Sequence, residues 1–367
     1  MTTASQVIRD VVWKRAGLLG WLGWLLLLPA SWIFGLGAYL RDLGYRLGVL
    51  PVERATIPVV SVGNLAVGGT GKTPMTLWLA RQLGDAGLRV AIVLRGYAGT
   101  ASGVTVVSAG AGPVVSASVG GDEAVMLAKC FDGPVLTARR RIDGVNAAAE
   151  MGCDVAVLDD GFQHRALARD FDLVLINRRS RGLLPAGPLR EGWGALNRAD
   201  AVALVCKSES DEQTEMSAVP AGKPVFLVRF AATALVETDA GRWHELAVGM
   251  LSGRQVAVVS GIAEPGPFYD TVRQWEGQIE EFFEYPDHHH YTKTDWQQLL
   301  RKTRHIDLIV TTEKDLVKLE CFPFARGKLV AVRILPQVER GEELVRLVLE
   351  RTGLVHKLPS QGGSDGD

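Results

Sequence analysis

The chain has 367 residues, of which 47% are apolar and 22% charged, with a formal net charge of −1. Such a composition excludes a disordered or fibrous protein, and the length suits two domains. The balanced charge excludes a global attraction to nucleic acid or anionic lipid, so any basic site is local.

No charged residue occurs between Ala16 and Leu40, and Lys14, Arg15 and Arg41 flank the run. A bilayer-crossing helix needs roughly 20 apolar residues, which this stretch supplies. It is too long for a secretory signal and has no clean cleavage site after it. Trp13, Trp21, Trp24, Trp32 and Tyr39 suit a membrane interface, whereas Pro29 and the internal glycines weaken a straight span. Basic residues on both sides leave orientation open. A helix embedded in the inner face of the membrane is the expectation. A true span and a long core helix are the alternatives.

An apolar strand, Ile57 to Val62, leads into Gly63-Asn-Leu-Ala-Val-Gly-Gly-Thr-Gly-Lys-Thr73 and then a helical run from Pro74. Glycines between a strand and a helix let backbone N–H groups converge on phosphate oxygens, and the helix N-terminus adds positive potential. The cradle is Ala66, Val67, Gly68, Gly69, Thr70, Gly71, Lys72 and Thr73. Lys72 reaches the outer phosphates, and the Thr73 hydroxyl is a Mg²⁺ ligand. The strict pattern asks for glycine where Ala66 stands. The strand–loop–helix context still reads as a P-loop.

Downstream, short apolar runs alternate with helical patterns. Strands are predicted at 58–62, 89–94, 135–137, 155–158, 173–176, 201–205 and 225–228, with helices at 74–86, 123–130 and 144–151. Continuous apolar strands alternating with helices indicate βαβ units and a doubly wound, mostly parallel sheet. After Phe230 a smaller α/β region follows, with strands at 256–260, 308–311 and 329–334. Its helices are expected at 266–275, 294–304 and 342–349. The expected division is 1–50 apolar helix, 51–230 P-loop core, 231–355 smaller domain and 356–367 disordered tail. Cys130, Cys153, Cys206 and Cys321 stand far apart without a C-x-x-C pair, which argues against zinc or a disulfide framework.

Several groups carry chemistry. Val155-Ala-Val-Leu-Asp159-Asp160 ends a strand in two carboxylates, where a P-loop enzyme places its Mg²⁺-binding acid. Adjacent strand side chains point to opposite faces, so the two differ in role. Gly161-Phe-Gln163-His164 extends that motif. Asp122 and Glu123 open a helix, where capping is as good an account as chemistry. Arg95-Gly-Tyr97 stands at a strand end. Arg190 and Glu191 close a Pro/Gly loop, and Arg190 suits a phosphate or a surface ion pair. Asp287-His288-His289-His290 fits an Asp/His base better than a metal site, since neighbours in a run do not converge on one ion. Thr311-Thr-Glu313-Lys314-Asp315 is either a nucleotide contact or a charged turn. These residues alone describe a membrane-associated P-loop phosphotransferase or NTPase. The Asn/Thr-Lys-x-Asp signal of a guanine reader is absent, because Glu313 interrupts it.

In this order the motifs resemble the tetraacyldisaccharide 4′-kinase family, the lipid A 4′-kinases of Gram-negative bacteria, from the apolar segment to about residue 350. The resemblance implies transfer of the ATP γ-phosphate to the 4′-hydroxyl of a tetraacylated glucosamine disaccharide 1-phosphate. It places the work at the cytoplasmic face of the inner membrane, with no nucleic acid and no obligate protein partner. It implies Asp122 and His288 as a catalytic dyad, and Thr73, Glu123, Asp159 and Asp160 around Mg²⁺. Gln163 becomes a nucleotide contact, and Arg95, His164, Arg190 and Glu191 become lipid-head-group and phosphate contacts. The family's usual Pro after Arg-Glu is Gly192 here.

Overall fold

The computed structural model describes residues 8–96, 103–177, 182–206, 216, 219–239, 242–287, 289–325 and 327–355. Tyr97, His288 and the tail 356–367 lie outside the described residues. Two compact units emerge. One is Met1–Arg95, Leu136–Arg229 and Gln337–Asp367; the other is Gly96–Val135 and Phe230–Pro336. A linear division at residues 50 and 230 is what the sequence reading expects, whereas the units interleave.

In chain order, a π-helical segment Ile8–Trp13 precedes α1 (Gly17–Arg46), then come β1 (Val59–Asn64), α2 (Lys72–Asp85) and β2 (Val90–Leu94). The second unit takes β3 (Val104–Ala109) and α3 (Asp122–Cys130), and the chain returns through β4 (Pro134–Ala138). Next are α4 (Arg141–Glu150), β5 (Val155–Asp159), β6 (Phe171–Ile176) and β7 (Ala201–Val205). The long β8 (Val225–Asp239) leads into β9 (Arg242–Leu246), β10 (Gln255–Ser260), α5 (Gly266–Gln274) and β11 (Gln278–Glu284). After them stand α6 (Lys293–Lys302), β12 (Leu308–Thr312) and α7 (Glu313–Leu319), before β13 (Leu329–Val338) returns to α8 (Gly341–Thr352).

In the first unit the strands lie in the order β8-β7-β6-β1-β5-β2-β4. The pairs β1–β5, β1–β6, β2–β5, β6–β7 and β7–β8 are all parallel. Every residue of β1, β2, β5 and β6 is buried, because helices cover both faces and leave no wet side to alternate toward. The chain runs from β1 outward to β2 and β4, comes back to β5, and then crosses β1 to reach β6. Such a reversal opens a crevice at the carboxyl ends of the central strands, where open α/β sheets bind ligands. Helix α2 seals this core with Met75, Leu79, Ala80 and Leu83, all fully buried. Helix α8 packs against α2, β1 and β6. A Cβ on Gly341 would lie 2.9 Å from Trp78, so the two helices approach closely at that glycine.

In the second unit β11, β10, β12 and β13 are neighbours with parallel registers, and β9 pairs antiparallel with the far half of β8. Strands β3, β9 and β11 and helix α7 escape the sequence reading. The edge strand β11, Gln278-Ile-Glu-Glu-Phe-Phe-Glu284, is mostly exposed and acid-rich, which hides its alternation. Helix α7 is seven residues long and opens in Glu-Lys-Asp, so it reads as a turn until the Thr312 side chain is seen capping it.

Helix α1 is 30 residues long and contains Pro29. Only Gly20 and Ser31 within it are buried, while Leu26 is 79% exposed and Trp32 70%. It is therefore not a core helix. Among the described residues it is the helix long and apolar enough to cross a membrane.

Candidate active site

At the carboxyl end of β1 the chain turns through Leu65–Gly71 into α2. Gly71 caps the helix in the left-handed region at φ 81°, a conformation that costs other residues steric strain. Gly63 meets a different demand, since a Cβ there would sit 2.5 Å from the Phe162 Cβ. Ala66 is buried and forms an antiparallel bridge with Leu189 at negative φ, so its methyl is tolerated where the strict motif has glycine. Asn64 donates to the Thr70 hydroxyl at 2.6 Å, and Gln163 donates to the Asn64 carbonyl at 2.7 Å.

The paired aspartates at the end of β5 separate as expected. Asp159 faces α2, where its two oxygens accept from the Thr73 hydroxyl at 2.9 Å and the Thr76 hydroxyl at 3.1 Å. Asp160 takes a left-handed φ of 53° and turns to the cations. Lys72 Nζ lies 3.8 Å from it, and Arg190 Nη1 bonds both its oxygens at 2.9 and 2.8 Å. Burial works to raise the Asp160 carboxyl, but Lys72, Arg190 and Arg141 outweigh it and hold it below the ordinary carboxylate range. Arg190 also reaches Gln163 at 3.4 Å.

Arg141 is a site residue that sequence reasoning misses. It is 4% exposed and donates to the Asp159 carbonyl at 3.0 Å and the Asp160 carbonyl at 3.5 Å. Burial lowers its guanidinium to about 10, with Asp159 and Asp160 opposing, so it stays charged at neutral pH. It stands in Arg139-Arg140-Arg141, which reads as a solvated run; nothing in the spacing marks the third arginine as buried. Thr76 was equally legible only as the hydroxyl one turn beyond Thr73.

His164 is half-buried. Burial, then Arg141, Arg169 and Arg95, lower its imidazole to about 4, so it is neutral at pH 7. Arg95 is exposed just past β2. Glu191 turns away from Arg190's partners. Its oxygens are held by Arg41 of α1 at 2.6 Å and by Arg198 at 2.5 Å.

The remaining candidates belong to the second unit. Asp122 and Glu123 form the first turn of α3, behind Gly121 at φ 90°. Asp287 pairs with Lys314 at 3.3 Å. His289 stacks on Tyr285 and lies 3.2 Å from Asp295. Among the described residues no group of three or more His, Cys, Asp or Glu is arranged to hold a metal. Asp315 is fully buried and anchors α7, accepting from the Gly261 N–H at 2.8 Å and pairing with Lys318 at 3.0 Å.

A glycine-rich loop feeding a helix, a lysine and hydroxyl at its start, and an acid at the neighbouring strand end define a P-loop phosphotransferase. The LpxK family, tetraacyldisaccharide-1-P 4′-kinase, matches residues 23–352. The chain is 40% identical over 362 residues to the tetraacyldisaccharide 4′-kinase of Anaeromyxobacter dehalogenans, covering 93% of this chain and 94% of that one. It is also 40% identical over 349 residues to that of Syntrophus aciditrophicus, covering 89% and 92%. A crystal structure of LpxK from Aquifex aeolicus in complex with ATP superposes with a TM-score of 0.75 at 32% identity, covering 90% of this chain and 99% of that one. The chain belongs to the tetraacyldisaccharide 4′-kinase family.

Proposed function

We propose that this chain transfers the γ-phosphate of ATP to the 4′-hydroxyl of a tetraacylated glucosamine disaccharide 1-phosphate, a step of lipid A biosynthesis. The observation that carries the reading is the cradle itself. Lys72 and Arg190 converge on Asp160, and beside them Thr73 is bonded to Asp159.

The donor's phosphates lie along Ala66–Thr73, with loop N–H groups and the N-terminus of α2 facing their oxygens. Lys72 and Arg190 exchange part of their interaction with Asp160 for the phosphate charge. The hydroxyl and carboxylate oxygens of Thr73, Asp159 and Asp160 are the hard donors that would hold Mg²⁺. Bound there, Mg²⁺ would supply charge neutralisation for the transferring phosphate. Gln163 holds the cradle's backbone and contacts the nucleotide. Asp122 accepts the proton of the 4′-hydroxyl, with His288 as its partner, while the 4′-oxygen bonds to the γ-phosphorus and the bond to the β-phosphate oxygen breaks. Neutral His164 and charged Arg95 and Arg190 face the disaccharide head group, and Glu191 orders the loop that carries Arg190.

Helix α1, exposed and apolar with Trp21 and Trp32 on its surface, rests in the cytoplasmic leaflet of the inner membrane. There the acyl chains stay in lipid and the 4′-hydroxyl meets the enzyme at the head-group plane. The test is transfer of labelled phosphate from ATP to a tetraacyldisaccharide 1-phosphate in detergent. Stoichiometric 4′-phosphorylated product is expected, and ATP turnover without any lipid product overturns the assignment.

A further inference from the structure

We propose that Arg41 and Asp42, on the last turns of the apolar helix, are positioning residues for the nucleotide cradle, acting through Glu191 and Arg198. Helix α1 is then more than an attachment, because its seating sets the affinity for the phosphate donor. This rests on the kinase reading above.

The loop 183–191 is gripped from two sides within the first unit. On the helix side, the buried Ser31 hydroxyl donates to the Leu183 carbonyl at 3.0 Å and accepts from the Ala186 N–H at 2.9 Å. Trp13 donates to the Pro185 carbonyl at 2.9 Å. On the cradle side, the Val67 N–H donates to the Pro188 carbonyl at 2.8 Å, and the Arg190 N–H donates to the Leu65 carbonyl at 2.7 Å. The same loop therefore backs the P-loop and delivers Arg190 to Asp160.

An ion network closes the far end. Glu191, with 8% of its side chain exposed, sits between Arg41 and Arg198. Arg198 also contacts Asp42 at 3.2 Å, and Asp42 pairs with Arg165. Arg165 follows Gln163 by two residues, and Gln163 holds the Asn64 carbonyl in the cradle. Two routes thus run from α1 to the phosphate site, one along the loop and one through Arg165. Attachment to a bilayer requires neither charge, and Asp42, the more buried of the two, costs desolvation unless it is paired. Their arrangement instead fixes the register of helix against loop.

The test compares full-length wild type, Arg41→Ala, Asp42→Asn and Arg41→Lys in detergent. Three quantities are read: affinity for a fluorescent Mg·ATP analogue, thermal midpoint, and partition onto phosphatidylethanolamine/phosphatidylglycerol vesicles. Arg41→Ala and Asp42→Asn are expected to weaken nucleotide affinity by roughly 2- to 30-fold, the range in which network residues modulate coupling. Vesicle partition stays unchanged, and Arg41→Lys recovers part of the affinity. Unchanged nucleotide affinity with reduced partition overturns the proposal and leaves α1 as an anchor. Weakened affinity that tracks a fall in thermal midpoint and is not recovered by Arg41→Lys also overturns it, since that pattern marks general damage. Nucleotide affinity is read without an acceptor lipid. A wrong acceptor assignment therefore shows as absent phosphate transfer with the variant effects intact.

Discussion

In the first unit Thr73 bonds Asp159, and Lys72 and Arg190 converge on Asp160, so the candidate side chains partner one another. In the second unit Asp287 is held by Lys314, and His289 by Tyr285 and Asp295; of these three partners Lys314 alone was a candidate for chemistry. The phosphate end is preorganised by its own charges, which lowers the reorganisation needed when the donor arrives. Its cations are already matched to carboxylates, so the donor must compete with Asp160 for them. The second unit positions its acids individually, on a helix start and on scaffold contacts. Five measurements break or sharpen this contrast.

The largest expected effect is on Asp122 and His288. Alanine at either should lower kcat by roughly 10²–10⁴, the usual contribution of a general base and its partner. ATP affinity should hold, and the double variant should be little worse than either single one. Losses that multiply in single-turnover assays would show two independent groups. Lys72→Ala comes next, with roughly 10²–10³ lost in turnover, as for removal of a charge-stabilising donor. Wild-type turnover in that variant refutes the cradle.

Third, Asp315→Ala removes one partner of a buried ion pair and should cost about 3 kcal/mol of stability, measured by chemical denaturation. The affinity for ATP at the first unit should be retained in the folded fraction. A parallel loss of ATP affinity would end the separation drawn between the units. Fourth, Asp159→Asn should raise the Mg²⁺ requirement by roughly 10–100-fold, as loss of a metal-organising carboxylate does. Asp160→Asn should act mainly on the rate, through Lys72 and Arg190. Superimposable Mg²⁺ titrations for the two variants count against distinct roles.

The smallest effect concerns acid stability. The folded state lowers His164 to about 4, below its ordinary 6.5, so between those values the unfolded chain binds more protons. Stability from this group is present above pH 6.5 and declines as pH falls toward 4. His164→Gln should therefore lose less of its thermal midpoint than wild type between pH 7 and pH 4.5. Equal losses would mean that the imidazole is not buried uncharged.

The cradle was legible because its chemistry is local in sequence. Gly71, Lys72 and Thr73 are consecutive, and Asp159 and Asp160 end an apolar run whose burial on both faces is itself a strand signal. What escaped depends on distant partners. Arg41 and Glu191 are 150 residues apart in the chain, and nothing in either segment announces the pair. The resemblance implies Glu191 as a substrate contact; that its carboxylate is engaged by Arg41 and Arg198 is visible only in the fold. The split of the second unit into two stretches escaped for the same reason. The pattern of 104–130 is ordinary α/β sequence, and only pairing shows which core it joins.

The interleaving also sets an order of events during synthesis. The P-loop is made early, but its unit is finished by α8, which seals α2 and β1 and meets Trp78 at Gly341. At about 5–20 residues per second, the ribosome needs roughly 15–55 s to travel from Thr73 to Thr352. Throughout that interval the apolar helix is already made, while α2, β1 and β6 lack the helix that packs on them. A nascent chain is thus committed to its surroundings before it is able to hold a triphosphate. Truncation just before residue 341 should leave a protein that keeps its apolar helix and has no competent cradle.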